Sequence, residues 1–198
     1  MGLLIKNGRV LDPASGMDRE ADILIEGDKI KGIYWAEMEE PEYPQDSLVI
    51  DAEGMVVAPG LVDVHVHFRD PGFTYKEDIE TGVRAAAKGG FTTVVLMANT
   101  NPPVDNVETL RYVLEKGRKT GIHVESCANV TMGMQGREVV DMAALTAAGA
   151  VGFTDDGIPL LKEEIVRKAM GQALQVEKPL SFHEENPAYI KNNGIHAG

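Results

Sequence analysis

The sequence predicts an α/β protein: a TIM-type (β/α)8 barrel, with only about the first five βα units present, preceded by a small β-sandwich domain. Three observations carry that expectation. Apolar strand cores centre near Val64, Val94, Val124, Gly152 and Phe182, about thirty residues apart, with helical stretches between them. Strands alternating with helices at this spacing imply parallel βαβ units. Each core is followed at once by polar side chains, which a barrel gathers at one mouth and an open sheet would scatter along an edge. No strand runs into a Gly-x-Gly-x-x-Gly turn, which weakens the doubly wound, nucleotide-binding alternative.

Taken in order, residues 1–58 read as short strands and turns, the small β domain. Leu3-Leu4-Ile5-Lys6-Asn7-Gly8-Arg9-Val10 suggests a hairpin turning at Asn7-Gly8. A second hairpin is expected over 21–30, with Gly27 at the bend. The acidic stretch 37–46, with Pro41 and Pro44, reads as a surface loop, and 48–51 and 55–58 as further strands. Pro59-Gly60 then punctuates the chain, and 59–198 reads as the N-terminal part of the barrel. Helices are expected over 76–88, 106–120, 136–148 and 162–176. Gly89-Gly90, Gly121 and Gly149 stand where left-handed helix caps belong.

Composition narrows the function. Of the 198 residues 43% are apolar and 25% charged, as in an ordinary soluble globular protein. A net charge of -12 argues against nucleic acid or an anionic membrane as partner, since both require a basic surface. One cysteine, Cys127, cannot form an intrachain disulfide, which fits a reducing cytoplasm. The first six residues lack the pattern of a secretory signal, and no apolar run nears the roughly 20 residues of a membrane span. A cytoplasmic protein is expected.

The chemistry concentrates at strand ends. His65 and His67 close an apolar strand two residues apart, so both imidazoles face the same way and can reach one metal ion. Arg69, two further on, would share that face if the strand geometry persists; it could grip a carboxylate, or pair structurally with Asp70 or a glutamate. Asp155 and Asp156 follow the strand 150–154. Adjacent residues of extended chain point oppositely, so one aspartate should face the mouth, where a carboxylate could bridge two metals, and the other brace the loop. Asp-Asp-Gly is also ordinary turn material. His183 ends the fifth strand at the same level and is favoured as a ligand, with Glu184 and Glu185 as supporting or loop residues. Asn99 reads as a helix cap or a substrate-binding amide. His123 lies early in its strand, away from the mouth, His196 lies in a Gly- and Asn-rich loop, and nothing basic is placed to activate Cys127.

Three runs together are specific: His65-Val66-His67-Phe68-Arg69-Asp70-Pro71-Gly72, Met97-Ala98-Asn99-Thr100-Asn101-Pro102 and Phe153-Thr154-Asp155-Asp156-Gly157. They resemble those of the bacterial dihydroorotases, members of the amidohydrolase superfamily of metal-dependent barrels. The runs 5–10 and 57–63 resemble that superfamily's β domain and barrel entry. The resemblance implies reversible, zinc-dependent cyclisation of N-carbamoyl-L-aspartate to L-dihydroorotate, a step of pyrimidine synthesis. His65 and His67 would hold a first zinc, Asp156 would contact both ions, and His183 would hold the second. Arg69 and Asn99, with His67 close by, would hold the substrate carboxylate. Related hydantoinases and allantoinases use a carbamylated lysine where this chain reads Thr-Asp-Asp-Gly. Ala98 stands where the family usually has proline, which should loosen the turn before Asn99. The family's remaining metal histidine and catalytic aspartate would lie beyond residue 198, so the chain reads as a truncated front part that is incomplete on its own. Two alternatives stand beside this: another cyclic amidohydrolase, hydantoinase- or allantoinase-like, or a non-catalytic scaffold partnering a carbamoyltransferase. A homodimer is a further expected assembly.

Overall fold

A computed structural model of the chain describes residues 2–183 and 185–189; Glu184 and His196 lie outside the described residues. The chain divides into two compact units, Met1–Pro59 and Gly60–Gly198.

The first unit is built from β1 (Gly2–Asp12), β2 (Met17–Glu26), β3 (Lys29–Tyr34), β4 (Leu48–Asp51) and β5 (Val56–Val57). They form one sheet in the order β3-β2-β1-β4, with β5 also on β1. The second sheet of the expected sandwich is not found among the described residues. The apolar face of this one is closed by its own side chains: Val10, Ala21 and Ile23 pack with Ile33, Val57 and Trp35. The hairpin expected at Asn7-Gly8 is also corrected. β1 runs straight through both residues, and the β1–β2 register shifts between Ile5 and Gly8. Asn7 adopts φ 61, a left-handed conformation that asparagine tolerates in a bulge as well as in a turn. Its N–H donates to Asp22 Oδ1 at 2.8 Å and its Nδ2 to Asp51 Oδ1 at 3.0 Å, which ties the bulge to β2 and β4. The actual turn follows Asp12, whose carboxylate accepts from Ala14 N–H. The second hairpin turns at Gly27 as expected, with Glu26 opposite Lys29.

The second unit alternates β6 (Leu61–Val66), α1 (Ile79–Lys88), β7 (Phe91–Leu96), α2 (Val107–Gly117), β8 (His123–Ser126), α3 (Met142–Ala148) and α4 (Glu163–Gln175). Its sheet is parallel, in the order β6-β7-β8. The fourth and fifth expected strands shrink to single parallel bridges, Ala128 with Phe153 and Phe153 with Leu180. Their residues explain why. Gly152 adds no side chain to pack, Pro179 has no N–H for a ladder, and the run soon turns at Gly157. Phe153 still donates to Pro179 O at 3.0 Å and accepts from Ser181 N–H at 2.9 Å, so the parallel direction continues.

The helices begin where a side chain can cap them. Asp78 caps α1 in a capping box with Thr81, Asn106 caps α2, and Asp141 caps α3. Residue 136 does not start α3, because 136–141 is used first in a bridge between Thr131 and Val139. Gly149 is the left-handed cap expected, at φ 113. Gly121 is not a cap: α2 ends at Gly117, where Arg118 caps in right-handed geometry. Gly117 is there for close approach, since a Cβ would come within 2.6 Å of Val124 Cβ. Val94, Leu110, Val113, Met142, Leu145 and Phe153 form the centre of this unit's core.

Candidate metal centre

β6 delivers His65 and, just past its end, His67; their rings meet edge to face with centroids 5.2 Å apart. The Asp156 carboxylate faces both. His65 Nε2 lies 3.5 Å from Oδ1 and His67 Nε2 3.3 Å from Oδ2. One ligand atom from each of His65, His67 and Asp156 falls within 4.8 Å of the others. Two imidazole nitrogens and a carboxylate so close together suit a borderline divalent ion such as zinc. His183 approaches only Asp156, with Nδ1 3.6 Å from Oδ1, while its Nε2 sits 3.1 Å from Glu185 Oε2. It stands at the rim of the group.

Asn99, after β7, joins the parts. Its Oδ1 lies 3.0 Å from His67 Nδ1 and its Nδ2 donates to Asp156 Oδ2 at 3.0 Å. An amide oxygen can only accept, so Nδ1 carries the proton and Nε2 presents its lone pair toward Asp156. Burial, with the charge of Arg69, holds His67 below the ordinary imidazole pKa despite that hydrogen bond. A neutral imidazole is the form that binds metal.

The two aspartates face opposite ways. Asp155 is 2% exposed and accepts from Val130 N–H at 2.9 Å, Thr131 N–H at 3.2 Å and the Thr131 hydroxyl. Burial pushes its carboxyl above the usual range against those bonds. Arg69 has φ 52 and, among the described residues, no carboxylate partner. Asp70, one of its expected partners, is bound by Lys116 instead at 2.6 Å. Ala98 is buried, and its carbonyl accepts from Thr100 and Val104, so that turn is held rather than loose. His123 opens β8, away from the centre, and burial pushes the Cys127 thiol up to about 11.

The family model described as Dihydro-orotase-like matches residues 54–198. The chain belongs to the dihydroorotase-like family. It is 55% identical to a dihydroorotase of Clostridioides difficile over 99% of this chain and 46% of that one. It is 53% identical to a dihydroorotase of Streptococcus pneumoniae over 98% of this chain and 44% of that one. The chain thus spans about half the length of the curated relatives it matches. Among solved structures, the L-hydantoinase from Arthrobacter aurescens superposes with a TM-score of 0.79 at 23% identity, covering 94% of this chain and 41% of that one. The D-hydantoinase from Thermus sp. gives 0.71 at 26% identity, over 93% and 40%. The α/β fold of this dihydroorotase-like chain is therefore shared with hydantoinases.

Sequence reasoning marked Asn129 as a polar residue after its strand but missed the other residues behind the centre. Asn129 and Thr131 hold Asp155, while Tyr112 and Lys116 hold Asp70. Tyr112 and Lys116 stand four apart on α2, so one helix face was readable. Their partner, more than forty residues earlier, was not.

Proposed function

We propose that the protein is a dihydroorotase, catalysing the reversible, zinc-dependent cyclisation of N-carbamoyl-L-aspartate to L-dihydroorotate in pyrimidine synthesis. The observation that carries this reading is the Asp156 carboxylate set against His65 and His67, beside Asn99 and the Arg69 loop. Relatives named dihydroorotase at 52% to 55% identity support the substrate. His65, His67, Asp156 and His183 are the metal-holding residues in this reading, for two zinc ions. Such ions, when bound, supply Lewis-acid polarisation of an amide carbonyl and acidify water. Residues of this chain supply binding and orientation. Asp156 neutralises charge that imidazoles cannot, and Asn99 fixes the tautomer of His67. Arg69 and Asn99 hold the substrate carboxylate, so the reacting amide is presented in one orientation.

The reading extends to architecture and setting. Residues 1–58 are a small β domain, and 59–198 the first part of a (β/α)8 barrel, supported by the parallel order β6-β7-β8 and the two bridges that continue it. The protein works in the cytoplasm on a small molecule, as a homodimer or beside a carbamoyltransferase. The fold likeness to hydantoinases raises those substrates as the competing reading. Because the chain spans about half the length of its relatives, the deciding assay uses the protein extended to their full length, loaded with zinc, against dihydroorotate, hydantoin and allantoin. Dihydroorotate turnover that Asp156→Asn abolishes is expected. Turnover of hydantoin without dihydroorotate would overturn the proposal.

A further inference from the structure

Asp70 is a fully buried carboxylate that touches none of the metal-facing groups. Lys116 Nζ donates to its Oδ2 at 2.6 Å, Tyr112 Oη to its Oδ1 at 2.9 Å, and the Ile79 N–H at the start of α1 to Oδ2 at 3.4 Å. Contact with Asp70 raises the Lys116 pKa above its ordinary value. Lys116 reaches in from a part-exposed position, so solvent screening and the desolvation of Asp70 leave the pair adding little net stability. What a buried carboxylate with three donors does supply is a fixed position.

The position it fixes is that of Arg69. Arg69 directly precedes Asp70 and holds φ 52, a region that non-glycine residues visit only when their surroundings impose it. The loop is closed behind it by Phe73 N–H donating to Arg69 O at 2.9 Å. It is also tied to the Asn99 loop, since Asn101 N–H donates to Pro71 O at 3.1 Å. At Gly72, with φ 88, any Cβ would collide with the Asn101 carbonyl, so the two loops lie in direct contact. Arg69, Asn99 and His67 therefore belong to one block, pinned to α1 and α2 through a single carboxylate.

We propose that Asp70, Lys116 and Tyr112 are positioning residues: through them α2 anchors the loop that aims Arg69 at the substrate carboxylate. This rests on the dihydroorotase reading of the site. A grip misplaced by about 1 Å costs on the order of 100-fold. Steady-state kinetics and metal content of the zinc-loaded protein, extended to the length of its relatives, test it, using Arg69→Met, Lys116→Met, Tyr112→Phe, Lys116→Arg and the Arg69→Met/Lys116→Met double variant. Lys116→Met should raise KM for dihydroorotate about 10- to 100-fold, with kcat within a few-fold and metal content unchanged. Tyr112→Phe should move KM the same way by less, and Lys116→Arg should recover most of the loss. The double variant should be no worse than Arg69→Met alone, since Lys116 acts through Arg69. Additive losses, or kcat and metal content falling together with KM unchanged, would overturn the anchor. If Lys116→Met does not fold, Tyr112→Phe, which removes one hydroxyl, carries the same comparison. Should the wild type fail to turn over dihydroorotate, or Arg69→Met leave its KM unchanged, the reading of the site fails and the anchor's purpose with it.

Discussion

Asp155 directs its carboxylate into the chain, toward Val130 and Thr131, while Asp156 directs the same group toward His65 and His67. Truncating the first therefore acts on stability. Asp155→Ala orphans two buried backbone donors, at about 1–3 kcal/mol each, and should cost roughly 2–6 kcal/mol in denaturant unfolding. A loss below about 0.5 kcal/mol, the range of an ordinary surface substitution, would contradict the network. That one of two adjacent aspartates would face inward was legible from strand alternation; which loop the other would grip was not, because Val130 and Thr131 are brought there by the fold. Cys127 offers a second test. Its folded pKa, raised from 9.0 to about 11 by burial, means the unfolded thiol loses its proton first as pH rises. That stabilisation is full below pH 9.0 and disappears as pH climbs to about 11. Lys116 and Tyr112, both raised in the fold, push the same way. Stability should fall across this alkaline window, and more shallowly in Cys127→Ala. An identical pH profile for that variant would contradict the assignment.

Among the elements, the existence of the helices was the most readable: α1, α2 and α4 begin close to where the sequence placed them, whereas α3 begins at Met142 behind its Asp141 cap rather than at 136. Glycine was the least readable, because one residue type serves different ends. Gly149 ends a helix, whereas Gly117 lets α2 lie against β8. An exposed helical Gly→Ala gains up to about 1 kcal/mol. At Gly117 the new methyl would sit 2.6 Å from Val124 Cβ, an atom fixed to the β8 backbone. Overpacking costs about 1–3 kcal/mol and wins. Gly117→Ala should lower the melting temperature, and a rise would show that α2 is free to move away from β8. Asn7 is the counterpart in the first unit. Its Asn-Gly dipeptide signals a hairpin, yet pairing with β2 on one side and β4 on the other keeps it inside a strand.

Across the whole chain, the grouping of His65, His67 and Asp156 was legible because it depends on short spacings: His-x-His on a strand and an aspartate after another strand. The supports of those groups depend on pairs separated by 24 to 46 residues, Thr131 with Asp155 and Lys116 with Asp70, which no local pattern encodes. The described residues form one sheet in the first unit, and strand content alone does not say how many sheets the strands make. The central claim is that His65, His67 and Asp156 hold a metal ion. Equilibrium dialysis of zinc against the metal-free full chain and its Asp156→Asn variant tests it most directly. The wild type should take up zinc, and Asp156→Asn should bind it at least about 100-fold more weakly. Zinc uptake by Asp156→Asn as tight as by the wild type would contradict the account.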